Sequence, residues 1–168
     1  NINYEKALSA YKEKRFEDAL AILEKLTANN HAPSKWLLGR MHALGEGVEK
    51  NSMRAAELLT ESGSAGFKFA QVQLAWLFIG TLGQSELGIK ILKVAADDGY
   101  PIAQNDLGQL YWKGDIIPRN PELALKYLTI AGENGEINAQ LTLGSIYSNN
   151  SFVSSDFAKS LYYNTLAA

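Results

Sequence analysis

The feature that most constrains this chain is an internal repeat with a period near 35 residues. A small residue is followed four and five positions later by Leu and Gly, and eight positions later by an aromatic residue. Ala103, Leu107, Gly108 and Tyr111 fit this frame, as do Ala139, Leu143, Gly144 and Tyr147. Ala70, Leu74, Ala75 and Phe78 fit it with one change, and Ser34, Leu38, Gly39 and His42 form a looser copy. The copies begin at 34, 70, 103 and 139, in steps of 36, 33 and 36. A second landmark keeps the register: the small pairs Ser62-Gly63, Ala95-Ala96, Ala131-Gly132 and Ala167-Ala168. Seven residues before each pair stands another small residue, Ala55, Gly88, Ala124 or Ser160. Such a period points to stacked supersecondary units, each burying its apolar face against its neighbours.

Inside each copy the apolar residues recur at three- and four-residue intervals, which is helical spacing. First helices are predicted over 34–44, 69–80, 102–113 and 138–148. Second helices are predicted over 52–62, 85–97, 121–133 and 155–167. Asn120 before Pro121 reads as an N-cap and a first-turn proline, and Asn51 and Ser154 or Ser155 can cap the equivalent helices. Gly66, Gly99 and Gly135 stand where a helix end calls for a left-handed residue. Pro33 and Pro101 fall near helix starts, where a missing N–H costs little. Residues 2–28 form one further pair: Tyr4, Ala7, Leu8 and Tyr11 mark one helical face, and Phe16, Ala19, Leu20, Leu23 and Leu26 another. The expectation is a single all-α domain over 1–168, an α-solenoid of about five helix-turn-helix units. Its units are 2–28, 34–66, 69–99, 102–135 and 138–168.

One loop reads His42-x-x-Gly45-x-Gly47-Val48-x-x-Asn51-x-x-Arg54-Ala55, and another Tyr111-x-x-Gly114-x-Ile116-Ile117-x-x-Asn120-x-x-Leu123-Ala124. With the Leu-Gly before and the small pair after, this resembles the Sel-one-like repeat (SLR), a branch of the tetratricopeptide superfamily. The resemblance covers 34–168; residues 2–28 resemble only a generic tetratricopeptide unit. The second copy lacks three loop residues, and the fourth has Asn150 and Phe152 where glycines would stand. The resemblance implies a right-handed superhelix used for protein–protein contact. It also implies company that includes bacterial secreted or periplasmic proteins, envelope adaptors, regulators and immunity proteins that neutralise secreted toxins.

The composition removes several chemistries. There is no Cys among 168 residues, hence no thiolate nucleophile, thiolate metal site or disulfide. The two histidines are separate, His31 in a predicted loop and His42 at a position that is aromatic in other copies. No phosphate loop, nucleophile elbow or His-Glu-x-x-His occurs. An enzyme would need an unpredicted pocket of clustered carboxylates. Sixteen basic against 18 acidic residues leave a net charge of −2, without the basic excess that phosphate binding requires. The longest apolar run, Leu74 to Ile79, is too short to span a bilayer. No catalytic residue, cofactor or metal is assigned.

The residues with the clearest binding character are the three tryptophans. Trp36, Trp76 and Trp112 all lie on first helices, which line the concave face in tetratricopeptide arrays. The same offsets add Tyr11, Arg40, Val72, Ile79, Asn105 and Gln109, together with Tyr4 and Leu8. Trp, Tyr and Arg are the types most enriched in binding hot spots. Each Trp has a second reading, as filler between helices. The expected function is a non-enzymatic module holding a partner protein in this groove, as adaptor, regulator or inhibitor. Toxin neutralisation, envelope assembly, and lipid or glycan binding by the groove are the alternatives. The last helix is rich in Leu and Tyr and stops on its small pair, so a longer chain, self-association or a docked partner is expected there.

Overall fold

A computed structural model describes residues 2–149 and 157–168. Among these the chain forms ten α-helices and no strand. They are α1 (Ile2–Lys12), α2 (Phe16–Ala28), α3 (Ala32–Leu44), α4 (Ser52–Ser64), α5 (Lys68–Trp76), α6 (Ser85–Asp97), α7 (Pro101–Lys113), α8 (Pro121–Glu133), α9 (Ile137–Asn149) and α10 (Phe157–Leu166). A π-helical turn, Leu77–Thr81, continues α5. Helices 85–97 and 121–133 match their predicted bounds, and the others differ by one or two residues at an end, with the predicted start at 155 lying outside the described residues. The difference at 69–80 is one of kind, because the last turn is π rather than α. The shortened loop of the second copy follows that turn directly. The proposed caps Ser154 and Ser155 lie outside the described residues.

The chain divides into two compact units, Asn1–Ile91 and Leu92–Ala168, with the division inside α6. In the first unit α1 pairs with α2 and α3 with α4, while α2 packs on α3 and α4 on α5. In the second, α7 pairs with α8 and α9 with α10, while α8 packs on α9. Antiparallel pairing followed by stacking is what the repeat predicts.

Local chemistry ends and aligns these helices. Asn51 Oδ1 accepts the Arg54 N–H at 2.9 Å, and Asn120 Oδ1 accepts the Leu123 N–H at 3.0 Å, capping α4 and α8. Gly45 (φ 76°) and Gly114 (φ 74°) close α3 and α7 in the left-handed region. Within the four pairs that follow α1 and α2, the two helices meet at the small landmarks. A Cβ on Gly108 would stand 2.8 Å from Leu128 Cγ and 3.2 Å from the Ala124 carbonyl oxygen. Gly39 meets the Ala55 carbonyl in the same way, at 3.3 Å. At the fourth crossing Ser160 Oγ donates to the Gly144 carbonyl at 3.0 Å. The landmarks are therefore contact points between axes.

Around them lie small apolar clusters. Ala7, Leu23, Leu37 and Met41 form one, and Ala55, Leu59, Ala70 and Leu74 another, both in the first unit. Leu128, Leu143, Ile146 and Tyr163 centre that of the second. Among the described residues, no helix is long and apolar enough to cross a membrane.

Candidate partner-binding face

Each first helix carries three repeat positions along one of its own faces, at two, six and nine residues after the small landmark. Trp36, Val72 and Asn105 share the first position, Arg40, Trp76 and Gln109 the second, and Ile79 and Trp112 the third. Four- and three-residue intervals keep these positions on one helix face.

The first position is the most enclosed. Trp36 is half-buried, with the rings of Phe67 and Phe69 at 5.7 and 5.4 Å. Its indole N–H is buried without a hydrogen-bond partner. Val72 and Asn105 are buried outright. This corrects the expectation that they line an open groove. An offset along a helix gives direction, and neighbouring elements decide whether that direction is covered.

The second position is the most open. Trp76 is 38 % exposed, and Arg40 and Gln109 are partly exposed. The Arg40 guanidinium lies 5.8 Å from the centre of the Tyr11 ring. The Tyr11 hydroxyl donates to the Glu46 carboxylate, and its ring lies 5.7 Å from Phe16. Burial raises the Tyr11 pKa; Glu46 adds to the shift and the Arg40 charge opposes it. Gln109 Nε2 donates to Asn105 Oδ1 at 3.1 Å, tying a partly exposed amide to a buried one.

At the third position Ile79 is half-buried beside the backbone of Gly88. Trp112 is half-buried against the α8–α10 cluster. Arg119 stands 5.2 Å over its ring and donates Nε–H to its carbonyl at 3.1 Å.

In the first unit these placements assemble one face. Tyr4, Leu8 and Tyr11 come from α1, Trp36 and Arg40 from α3, and Phe69 and Trp76 from α5. Contacts join α1 to α3 through Tyr11 and Arg40, and α3 to α5 through Trp36 and Phe69. The strip is aromatic, with one cation already held by a ring. Gln109 and Trp112 belong to the second unit.

Two features escaped the sequence reading. Glu46 and Phe69 are part of the strip, and neither carries a repeat landmark. The other is the residue immediately after each small landmark: Lys35, Gln71, Gln104 and Gln140. Each glutamine donates its amide back to the end of the preceding second helix. Gln104 reaches the Ala96 carbonyl at 3.0 Å, Gln140 that of Gly132 at 2.8 Å and Gln71 that of Gly63 at 3.4 Å. Lys35 instead pairs with Glu61 at 2.6 Å and donates to Asn30 at 2.8 Å. It lies in an open cleft of about 470 Å³ between α2, α3 and α4, with His42 and Arg54 also on its wall. The Lys-Gln-Gln-Gln series at fixed register was the available signal.

The histidines take separate roles: His31 Nδ1 lies 2.8 Å from Ser34 Oγ, and His42 Nδ1 lies 3.4 Å from the Glu49 carbonyl. Among the described residues no group of three His, Cys, Asp or Glu is placed to hold a metal.

Residues 32–67 and 101–136 match the Sel1 repeat family model. Among solved structures, a Sel1 repeat protein from Oxalobacter formigenes aligns with TM-score 0.77 and 22 % identity over 98 % of this chain and 68 % of that one. A protective antigen of uropathogenic Escherichia coli with an SLR fold aligns with TM-score 0.74 and 22 % identity, over 88 % of this chain and 32 % of its own. An immunity protein from Pseudomonas aeruginosa aligns with TM-score 0.55 and 19 % identity, over 96 % of this chain and 81 % of its own. Among curated proteins, none matches the sequence. At these identities the structural likeness concerns the fold.

Proposed function

Because the chain is a Sel1-like repeat protein of stacked helix pairs, we propose that it works by holding a segment of another protein, without catalysis of its own. The holding surface is the first-helix face of the first unit, built from Tyr11, Trp36, Arg40, Phe69 and Trp76. The observation that carries this reading is Trp76. It is a large aromatic, 38 % exposed, at the repeat position where Arg40 and Gln109 also reach solvent. Burying such a ring against a partner removes a large apolar area from water and supplies the kind of anchor on which interfaces depend.

The role of inhibitor is one form of this activity. Supporting it is the likeness of fold to immunity proteins from Pseudomonas aeruginosa, which this chain matches over 80 % or more of their own length. In that role the partner is a toxin and the strip covers part of its surface.

The test is affinity capture by the unaltered chain beside Trp76→Ala and Arg40→Ala, each checked by circular dichroism. A protein retained by the unaltered chain and lost by folded Trp76→Ala supports the reading. Equal retention by both folded variants overturns it.

A further inference from the structure

Arg40 differs from the other arginines of the first unit in what it meets. Arg15 pairs with Glu13 at 3.0 Å and Asp18 at 2.6 Å, and Arg54 with Glu57 at 2.8 Å, all between exposed side chains. Arg40 is partly buried, and among the described residues no carboxylate forms an ion pair with it. Its contact is instead the Tyr11 ring, 5.8 Å away at the centre. The one acid of the strip, Glu46, accepts the Tyr11 hydroxyl. Tyr11 thus meets the cation with its ring and the carboxylate with its oxygen, and the two charges are not paired with each other.

Arg40 also stands in the middle of the strip. On this face α3 lies between α1 and α5, joined to the first through Tyr11 and to the second through Trp36 and Phe69. The other side chains of these three helices in the strip, Tyr4, Leu8, Tyr11, Trp36, Phe69 and Trp76, carry no formal charge at neutral pH. The surface is one guanidinium with aromatic rings on both sides. A guanidinium offers its N–H donors in a planar fork that fits the two oxygens of a carboxylate. That pairing strengthens where apolar groups exclude water around it. A single cation matches a single carboxylate, whereas a nucleic acid or an anionic membrane calls for many cations together.

We propose that the partner segment carries an Asp or Glu side chain that pairs with Arg40, with a large apolar residue on either side, one against Tyr11 and one against Trp76. The inference rests on the binding role proposed for this face and adds the chemistry of its occupant. The carboxylate is that of a side chain and not of a chain terminus, because the strip continues past Arg40 in both directions.

Selection of random peptides displayed on phage against the full chain tests this, after removal of those that also bind folded Trp76→Ala. The expected binders share one Asp or Glu flanked by large apolar residues. A selected peptide is then made with an amidated C-terminus and a fluorescent label. Replacing its acid by the matching amide is expected to weaken binding at least about tenfold, the loss of a charge-assisted pair. Against Arg40→Met, folded by circular dichroism, the same replacement is expected to change affinity by less than about twofold. Selection on Arg40→Glu is expected to favour Lys or Arg at that place. Trp76-dependent peptides without an acid, or an acid-to-amide loss that persists in Arg40→Met, overturn the inference and leave the proposed function standing. A library that yields no Trp76-dependent peptide overturns both.

Discussion

Gly88 on α6 lies so close to Ala75 on α5 that a Cβ on Gly88 would stand 2.5 Å from the Ala75 carbonyl oxygen. Three other pairs place glycine on the first helix and Ala or Ser on the second: Gly39 with Ala55, Gly108 with Ala124, and Gly144 with Ser160. The second pair has exchanged them. In these four pairs the crossing holds one residue without a side chain, and either helix can supply it.

Gly88→Ala is expected to destabilise the protein by about 1–3 kcal/mol, the usual cost of an overpacked contact. Adding Ala75→Gly transfers the gap to the other helix and is expected to recover part of that loss. Chemical denaturation of the two single variants and the double variant measures the coupling. Strict additivity would show that the crossing does not act as an exchangeable pair.

The glutamine after each landmark makes a second prediction. Gln140 is buried, and its amide satisfies the Gly132 carbonyl at 2.8 Å. Gln140→Leu leaves that acceptor without its donor and is expected to cost about 1–3 kcal/mol. Gln71→Leu is expected to cost less, because its contact is 3.4 Å long and only part-buried. Denaturation midpoints in urea rank the two.

The repeat made the fold readable, because period, caps and small residues each follow from backbone geometry. Asn51, Asn120 and the left-handed Gly66, Gly99 and Gly135 stand where local chemistry placed them. The site was less readable. Trp36, Val72 and Asn105 share a helical direction with exposed neighbours, yet Trp36 is half covered by Phe67 and Phe69 and the other two are buried. Their covering comes from tertiary packing, which periodicity within one helix does not contain. The π turn at Leu77–Thr81 escaped for a related reason, since apolar spacing predicts that a helix is present but does not specify its last hydrogen bonds.

The tyrosines set an alkaline limit. Tyr4 and Tyr100 have pKa values raised above 10.0, chiefly by burial, with Glu5 adding at Tyr4, and Glu136 and Asp106 at Tyr100. The unfolded chain loses these protons first, so stability is expected to fall as pH rises from the ordinary tyrosine value through the raised folded one. Equilibrium unfolding followed across that range checks the slope, and Tyr4→Phe should make it shallower. A slope unchanged by the substitution would remove Tyr4 from the account.

The two tryptophans of the first unit should separate stability from binding. Trp36 sits between Phe67 and Phe69 and joins two apolar clusters. Its truncation to Ala should cost about 3 kcal/mol, the lower end for a large aromatic in a core because the ring is only half-buried. Trp76 is exposed, and Trp76→Ala should change stability by no more than about 1 kcal/mol. Acrylamide should quench the more accessible share of the fluorescence, and that share should vanish in Trp76→Phe but persist in Trp36→Phe. If partner capture then fails with folded Trp76→Ala while stability holds, the ring acts at the surface. A large stability loss at Trp76 would instead make it a packing residue and move the binding face elsewhere.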